Sequence, residues 1–395
     1  MHISVLGQGY VGLPLAIAAA QSGFAVYGID VDENKIFSLK TGKSYIEDLA
    51  DIVLKKSIES QRYIPTLDTK YINKSEVIVI CVPTPLTESH EPDLSALIEA
   101  TITVGRNLKK GALVIVESTI EPGTCQKVLL PILTKESGLT ELDFYLAYSP
   151  ERIDPTNKKW GIGNTPKIVA GLTPAAAERA ETFYGKFINS IIRCSSIEIA
   201  ETAKLLENSF RFVNISFINE ISIFCQKIGI DVIEVIAAAA TKPYGYMAFY
   251  PSIGVGGHCI PVDPLYLAKS TKAVGVQSRF IDLADQINQE MPGYFVGRAE
   301  AKIDGLKNKK VLVVGVSYKP NVADVRESPV ELLISGLKQK GAQVSWHDDL
   351  VKEWNGEKSV ALSSDFDLAI IATPHDYLDL TKLANIPILN TRGSI

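Results

Sequence analysis

Hydrophobic residues in the first third of the chain fall into short, nearly unbroken runs. Ile3–Leu6, Ala25–Ile29, Val77–Val82, Leu113–Val116 and Phe144–Ala147 each have strand length. Between them lie stretches with apolar residues at helical spacing, the clearest being Leu13–Gln21, which stops before Gly23. A strand covered on one face alternates apolar and polar positions, whereas an unbroken run is buried on both faces. The pattern therefore predicts a parallel sheet with helices on each side. Near Ser196 the texture changes. Glu198–Ile228 has no Gly or Pro and keeps Ala203, Leu206, Phe210, Val213 and Phe217 at helical spacing. This predicts one long helix that bridges two domains, builds a dimer interface or simply fills a core. From Lys309 the opening pattern returns. Val311–Gly315 echoes Ile3–Gly7, Ala342–His347 with Asp348 echoes Ala25–Ile29 with Asp30, and Leu368–Pro374 echoes Val77–Pro83. A second, smaller α/β unit follows from this repeat, although its first turn lacks a complete glycine fingerprint.

Composition narrows the class without fixing it. The chain has 395 residues, too many for one ordinary domain, and its 46% hydrophobic and 22% charged content is that of a globular protein. A net charge of −5 argues against wholesale nucleic-acid binding but leaves room for a local basic pocket that takes a diphosphate. No apolar run of about 18 residues predicts a membrane span, and no leader-like segment precedes the first strand. The five cysteines, Cys81, Cys125, Cys194, Cys225 and Cys259, are odd in number and scattered. They are expected to be reduced thiols in the cytoplasm, most of them inert and buried.

Two segments carry chemistry. Gly7, Gly9 and Gly12 fit G-x-G-x-x-G, with Tyr10 and Val11 inside the pattern. The pattern alone is weak, and a glycine turn with no ligand is its bland alternative. Here it follows a strand, opens a helix, and is followed 18 positions after Gly12 by Asp30. In that context Gly7 permits the tight turn, Gly9 lets the backbone approach a pyrophosphate, and Gly12 allows close packing of helix on strand. Asp30 is expected to accept a hydrogen bond from a ribose hydroxyl, and its charge repels a 2′-phosphate, so NAD is favoured over NADP.

The second segment runs from Tyr250 to Asp263 and places Gly254, Gly256 and Gly257 just before His258 and Cys259, with Pro251 and Pro261 on its flanks. Three glycines in four positions are costly in chain entropy unless the backbone bends unusually or lies against a ligand. An ordinary Gly/Pro turn with a chance cysteine remains open on these residues alone. No Cys/His spacing suggests a metal site.

Together with Gly7–Gly12, the segments Cys81–Pro85, Glu117–Thr119, Ser149–Glu151, Glu201–Asn208, Gly254–Asp263, Ser317–Lys319 and Arg326–Pro329 resemble the UDP-glucose/GDP-mannose dehydrogenase family over essentially the whole chain. The resemblance implies an α/β fold of two Rossmann-like domains joined by a long central helix and helical segment. It divides the chain into an NAD-binding domain at 1–195, a central helical, dimerisation and cysteine-bearing region at 196–303, and a UDP-sugar-binding domain at 304–395. It also implies a homodimer or higher homo-oligomer. The activity implied is a four-electron oxidation of a sugar-nucleotide C6 hydroxyl to the acid, with two NAD consumed per turnover. Cys259 is the implied nucleophile that traps the aldehyde as a thiohemiacetal and carries the thioester. An aldehyde gives up hydride to form an acid only after a nucleophile makes its carbon tetrahedral, and a thiolate suits that task.

The other roles rest on the same resemblance. Lys204 and Asn208, one helical turn apart, are implied to stabilise the oxyanion, Asp263 with Thr119 to position water or move a proton, and Glu151 to act in thioester hydrolysis. Without the resemblance a lysine on a helix reads as a solvated cation, and a lone acid as surface charge. Lys35, Thr84, Thr119 and Arg326 are implied to join Gly7–Gly12 and Asp30 around NAD. Glu151, Arg152, Lys204, Asn208, Tyr250, Gly254, Gly256, Gly257, Lys319 and Arg392 are implied to contact substrate. His258 can help hold a thiolate or serve as structural filler, and no role is assigned to it. Thr241–Met247 with His258 and Cys259 resembles the branch that acts on UDP-N-acetylglucosamine, whereas Pro251–Gly254 departs from the commoner loop. UDP-glucose and UDP-N-acetylmannosamine are the alternative substrates, and carboxylated sugar nucleotides of this kind commonly feed polysaccharide biosynthesis. Two readings of other kinds compete: a two-electron hydroxyacid-type dehydrogenase, which predicts no second α/β domain, and a non-catalytic NAD-binding protein.

Overall fold

A computed structural model describes residues 1–46, 49–87, 91–154, 157 and 159–393. Its contacts divide the chain into two compact units, Met1–Leu206 and Glu207–Ile395.

The first unit is built on strands β1 (His2–Leu6), β2 (Ala25–Ile29), β3 (Tyr63–Thr66), β4 (Val77–Ile80), β5 (Leu113–Val116), β6 (Tyr145–Tyr148), β7 (Lys167–Gly171) and β8 (Ile191–Arg193). They form one sheet in the order β3-β2-β1-β4-β5-β6-β7-β8. The α-helices are α1 (Gly12–Gln21), α2 (Glu33–Lys40), α3 (Asp51–Glu59), α4 (Ser95–Asn107), α5 (Leu130–Ser137), α6 (Pro174–Tyr184) and the start of α7 (Ile197–Ile228). Along β4, Val77 and Val79 enter one core with Leu13, Leu15 and Ile17 of α1. Ile78 and Ile80 enter the opposite core with Leu97 and Val104 of α4 and Leu133 of α5. The unbroken apolar run is thus explained by two covered faces. Each fully buried aliphatic side chain contributes about 1.5–3 kcal/mol. One strand departs from the parallel expectation: β7 runs antiparallel to β6, pairing Ala147 with Gly171 and Tyr148 with Ala170. Its first residue, Lys167, therefore lies at the edge where β5 and β6 end.

The second unit holds the remainder of α7, then α8 (Val232–Ala240), α9 (Asp263–Ala273), α10 (Arg279–Lys302) and α11 (Val330–Gln339). Its strands β9 (Lys310–Val314), β10 (Gln343–His347), β13 (Leu368–Ile371) and β14 (Ile388–Asn390) form a parallel sheet in the order β10-β9-β13-β14. A two-residue pair, β11 (Glu353–Trp354) with β12 (Glu357–Lys358), stands apart from it. The repeat seen in the sequence is reproduced in backbone detail. Gln8 N donates to Asp30 at 2.7 Å in the first unit, and Val316 N donates to Asp348 at 2.9 Å in the second. The duplicated acid is closed off differently, because His375 Nε2 lies 3.1 Å from the Asp348 carboxylate with both side chains fully buried. The second sheet is the feature that a hydroxyacid-type dehydrogenase lacks. Among the described residues, no helix is long and apolar enough to cross a membrane.

Candidate active site

In the first unit the glycine loop lies between the carboxyl ends of β1 and β4, where the strand order reverses and ligands of open α/β sheets bind. Gly7 has φ +86°, and a Cβ there would meet the Cys81 carbonyl oxygen at 2.5 Å. A Cβ on Gly12 would meet the Gly7 carbonyl oxygen at 1.9 Å. Gly9 has nothing within 4 Å of the same position. Two glycines are therefore required by the protein's own backbone, while the middle one faces open space beside the positive end of α1, as a pyrophosphate cradle needs. Gln8 fixes the loop from within. It is fully buried, its side-chain nitrogen donates to Val5 O at 2.8 Å, and Tyr63 Oη donates to its Oε1 at 2.7 Å.

Asp30 is buried at the end of β2 and accepts from Gln8 N at 2.7 Å and Asp32 N at 3.0 Å. Lys35 Nζ, on α2, lies 3.7 Å from the Asp30 carboxylate. Thr84, after β4, is buried as well. These residues fit the adenosine and diphosphate half of NAD.

At the carboxyl ends of β5, β6 and α7's first turns lies a second cluster of the same unit. Glu151 Oε1 accepts from Arg152 N and Ile153 N, each at 2.6 Å, so its carboxylate closes a turn on its own backbone. Burial pushes its carboxyl up, but Lys167, the two amides and Lys204 together hold it below the ordinary carboxylate range. Arg152 Nη1 donates to Pro166 O at 2.7 Å. Lys204 is 8% exposed, which removes the solvated-cation reading. Glu201, one turn earlier on α7, accepts from Gly123 N at 2.5 Å and Cys125 N at 3.1 Å. It thereby ties the helix to the segment that follows Thr119.

The cysteine lies in the second unit. Cys81, Cys125 and Cys225 are buried, Cys194 is half-buried, and Cys259 is exposed. Cys259 O accepts from Asp263 N at 2.9 Å and Val262 N at 3.2 Å, so the cysteine sits one turn before α9, near the helix end that favours an anion. Asp263, the first residue of α9, is buried, and its carboxylate accepts from Asn208 Nδ2 at 2.5 Å. Asn208 thus holds an acid beside the cysteine turn, where the sequence suggests only a shared face with Lys204.

The glycines before Cys259 have an internal cause. A Cβ on Gly256 would meet Glu327 O at 2.5 Å and Tyr318 Cβ at 2.8 Å. Gly257 has φ +85°, and a Cβ there would meet the Tyr318 ring at 2.8 Å. Close packing against the Tyr318 and Glu327 segments demands these glycines whether or not a ligand is near. Asn219 Oδ1 accepts from Ser252 N at 2.8 Å and Asn288 Oδ1 from Val255 N at 2.6 Å, which pins the rest of the loop. Tyr250 is half-exposed at its start.

Burial, and after it the Arg326 charge, lowers the His258 pKa from its ordinary value against the opposing pull of Asp324 and Glu327. Arg326 Nε donates to both Asp324 oxygens, at 2.9 and 3.1 Å, and its carbonyl accepts from Gly257 N at 3.1 Å. Lys319 and Arg392 follow β9 and β14 at the carboxyl edge of the second sheet, and burial lowers the Arg392 guanidinium's pKa from its ordinary value. Among the described residues no cluster of His, Cys, Asp or Glu is arranged to hold a metal ion.

The sequence marks Glu117 only as part of a motif and gives no sign of Lys167. That lysine carries no local signal because its place depends on the antiparallel direction of β7.

Three family profiles match the chain in succession: the UDP-glucose/GDP-mannose dehydrogenase family's NAD binding domain at residues 1–188, its central domain at 198–290 and its UDP binding domain at 312–392. The UDP-N-acetyl-D-glucosamine 6-dehydrogenase of Pseudomonas aeruginosa is 35% identical over 360 residues, covering 89% of this chain and 83% of that protein. The UDP-N-acetyl-D-mannosamine dehydrogenase of Pyrococcus horikoshii is 35% identical over 379 residues, covering 92% and 89%. A solved structure of the UDP-N-acetylmannosamine dehydrogenase from Pyrococcus horikoshii superposes with a TM-score of 0.92 at 33% identity, covering 99% of this chain and 95% of that one.

Proposed function

Since the chain belongs to the UDP-glucose/GDP-mannose dehydrogenase family of NAD-dependent oxidoreductases, we propose that it oxidises the C6 hydroxyl of UDP-N-acetylglucosamine to the carboxylate through a covalent intermediate on Cys259. The observation that carries this reading is the setting of that thiol. It is the exposed one of five, stands one turn before α9, and is followed by a buried acid held by Asn208. Bound NAD supplies the hydride acceptor for both oxidations. Gly7, Gly9, Tyr10, Val11, Gly12, Asp30, Lys35, Thr84, Thr119 and Arg326 are assigned to holding it.

The chain's own residues do the rest. The Cys259 sulfur bonds to the aldehyde carbon, and the oxygen that gains negative charge is stabilised by Lys204, with Asn208 as its neighbour on the helix. Asp263 with Thr119 orders water and accepts protons. Glu151 takes a proton from the water that attacks the thioester, whereupon the carbon–sulfur bond breaks and the thiolate is restored. Arg152, Tyr250, Gly254, Gly256, Gly257, Lys319 and Arg392 are assigned to the UDP-sugar. The functional segments are 1–195 for NAD, 196–303 for the cysteine and subunit pairing, and 304–395 for UDP, in a cytoplasmic enzyme with reduced thiols that serves polysaccharide biosynthesis.

UDP-N-acetylglucosamine is favoured by the Thr241–Met247 segment and by the Pseudomonas aeruginosa relative. UDP-N-acetylmannosamine is the second reading, favoured by the equal identity to the Pyrococcus horikoshii enzyme. The test combines Cys259→Ala with the three candidate UDP-sugars. The variant should form no acid while keeping its NAD affinity within about twofold, since only the covalent step is removed. Acid formation by the variant at the normal rate rules out the covalent route, and the sugar turned over fastest by the unaltered enzyme decides the substrate.

A further inference from the structure

Beneath Glu151 the first unit contains a buried charge cluster to which the proposed reaction gives no part. Lys167 is 5% exposed, and its Nζ lies 3.2 Å from Glu117 Oε1 and 3.4 Å from Glu151 Oε2. The same ammonium is 3.4 Å from Pro150 O and stands over the Tyr184 ring at 5.0 Å. Glu117 is 2% exposed. Its Oε1 accepts from Tyr184 Oη as well as from Lys167, and its Oε2 is buried with no hydrogen-bond partner. A lysine withdrawn from water between two acids is costly to build, and breaking such a group leaves an uncompensated charge.

Strand direction places these groups. β5 and β6 run parallel, so Glu117 and Glu151 both follow their carboxyl ends. β7 runs the other way, pairing Ala147 with Gly171 and Tyr148 with Ala170. Continued by three residues, that register sets Lys167 opposite Glu151. An additional parallel strand would put its first residue at the opposite edge of the sheet, out of reach. The direction of β7 therefore delivers one cation to the edge where the proposed hydrolytic acid stands.

We propose that Lys167 is a positioning residue for Glu151, holding its carboxylate ionised and aimed for thioester hydrolysis, with Glu117 as the counter-charge that keeps the ammonium in place. The inference rests on the role given to Glu151 above. The groups that face Glu151 are Lys167 from β7, Glu117 from the end of β5, Lys204 from α7, Cys81 from the end of β4, and the Arg152 and Ile153 amides of its own loop. Burial raises the Glu117 carboxyl to about 7, with Lys167 opposing and Glu151 adding to the rise. Lys167 stays charged despite its burial because both acids favour the ammonium. Hydrolysis needs Glu151 ionised, so activity falls as pH drops through its pKa. Removing the cation raises that pKa, whereas Glu117, protonated below about 7, carries little charge where Glu151 titrates.

The test uses the full-length enzyme with saturating NAD and the UDP-sugar it turns over, comparing Lys167→Met, Lys167→Arg, Glu117→Gln and Glu151→Gln. For Lys167→Met the acidic limb of the kcat–pH profile should move up by about one unit, the scale of a nearby opposite charge. Its kcat should fall by about 10²-fold with both KM values within about twofold, and a sugar-nucleotide adduct on Cys259 should accumulate in intact-mass spectra. Lys167→Arg should restore most of the rate and return the limb to its place, and Glu117→Gln should leave the limb where it is. A purely structural role predicts no shift that follows the charge at position 167. A folded Lys167→Met with an unmoved limb and no adduct overturns the inference. Should that variant fail to fold, Lys167→Gln, polar and uncharged, decides in its place: an upward shift of the limb supports the proposal and an unmoved limb overturns it. Glu151→Gln separates the two ideas, because normal hydrolysis by it removes Glu151 from the reaction. A stalled Glu151→Gln beside an unaltered Lys167→Met removes only Lys167.

Discussion

At Gly256 and Gly257 any side chain would run into the Tyr318 side chain. The glycines before Cys259 stand out in the sequence because they cost entropy, and a ligand is one of two reasons for them. The second reason applies in full, since Gly257 has φ +85° and a Cβ there would meet the Tyr318 ring at 2.8 Å. Gly257→Ala should therefore disturb the cysteine loop itself, lowering kcat/KM by about tenfold or more and costing about 1–3 kcal/mol of stability. Steady-state kinetics and thermal unfolding check both.

Asp348 is visible in the sequence only as an echo of Asp30. Its partner His375 is not visible, because the two are 27 positions apart and meet through the crossover from β10 to β13. Burial pushes the Asp348 carboxyl up, yet His375 and the amides of Val316 and Val351 bring it down to about 2. Depressed below an ordinary value of about 3.9, it contributes stability in full above about pH 4 and loses it as pH falls through about 2. Asp348→Asn should lower the unfolding midpoint at pH 7 and shrink the loss of stability between pH 4 and 2 relative to the unaltered protein. A calorimetric pH series checks this.

At the scale of the element, strands and helices with strong periodicity are readable. The apolar runs mark β1, β2, β4, β5 and β6 to within two residues, and α7 starts one residue before its predicted position. Short, partly exposed strands are not readable. β8 is only three residues long and half-exposed, and β3 contains Pro65. β7 is a buried run whose antiparallel direction no local pattern encodes, and for that reason Lys167 escapes a reading of the sequence. The long helix also carries a row that the core does not use: Leu206, Phe210, Phe217, Phe224 and Ile228 recur at four- and seven-residue intervals and are each about half or more exposed. An apolar face of this kind supports the proposed subunit pairing. Phe217→Glu should shift the protein from dimer to monomer in sedimentation velocity while leaving each unit folded by circular dichroism. A monomeric unaltered protein contradicts the pairing.

For the whole molecule, the architecture is legible in the repeat of an α/β unit at each end of the chain, because the same order of apolar runs and acids recurs around Asp30 and Asp348. The three successive family profiles follow that order, nucleotide-binding, central and UDP-binding. The glycine loop and Glu151 belong to one compact unit, and Cys259 with Asp263 to the other. The four-electron course through a covalent intermediate is tested by the yield of NADH per UDP-sugar consumed. It is taken with limiting sugar nucleotide and excess NAD, with the product identified by mass. The account predicts about two NADH for each sugar, appearing together with the uronic acid. One NADH per sugar, with aldehyde or keto-sugar as the end product, contradicts it.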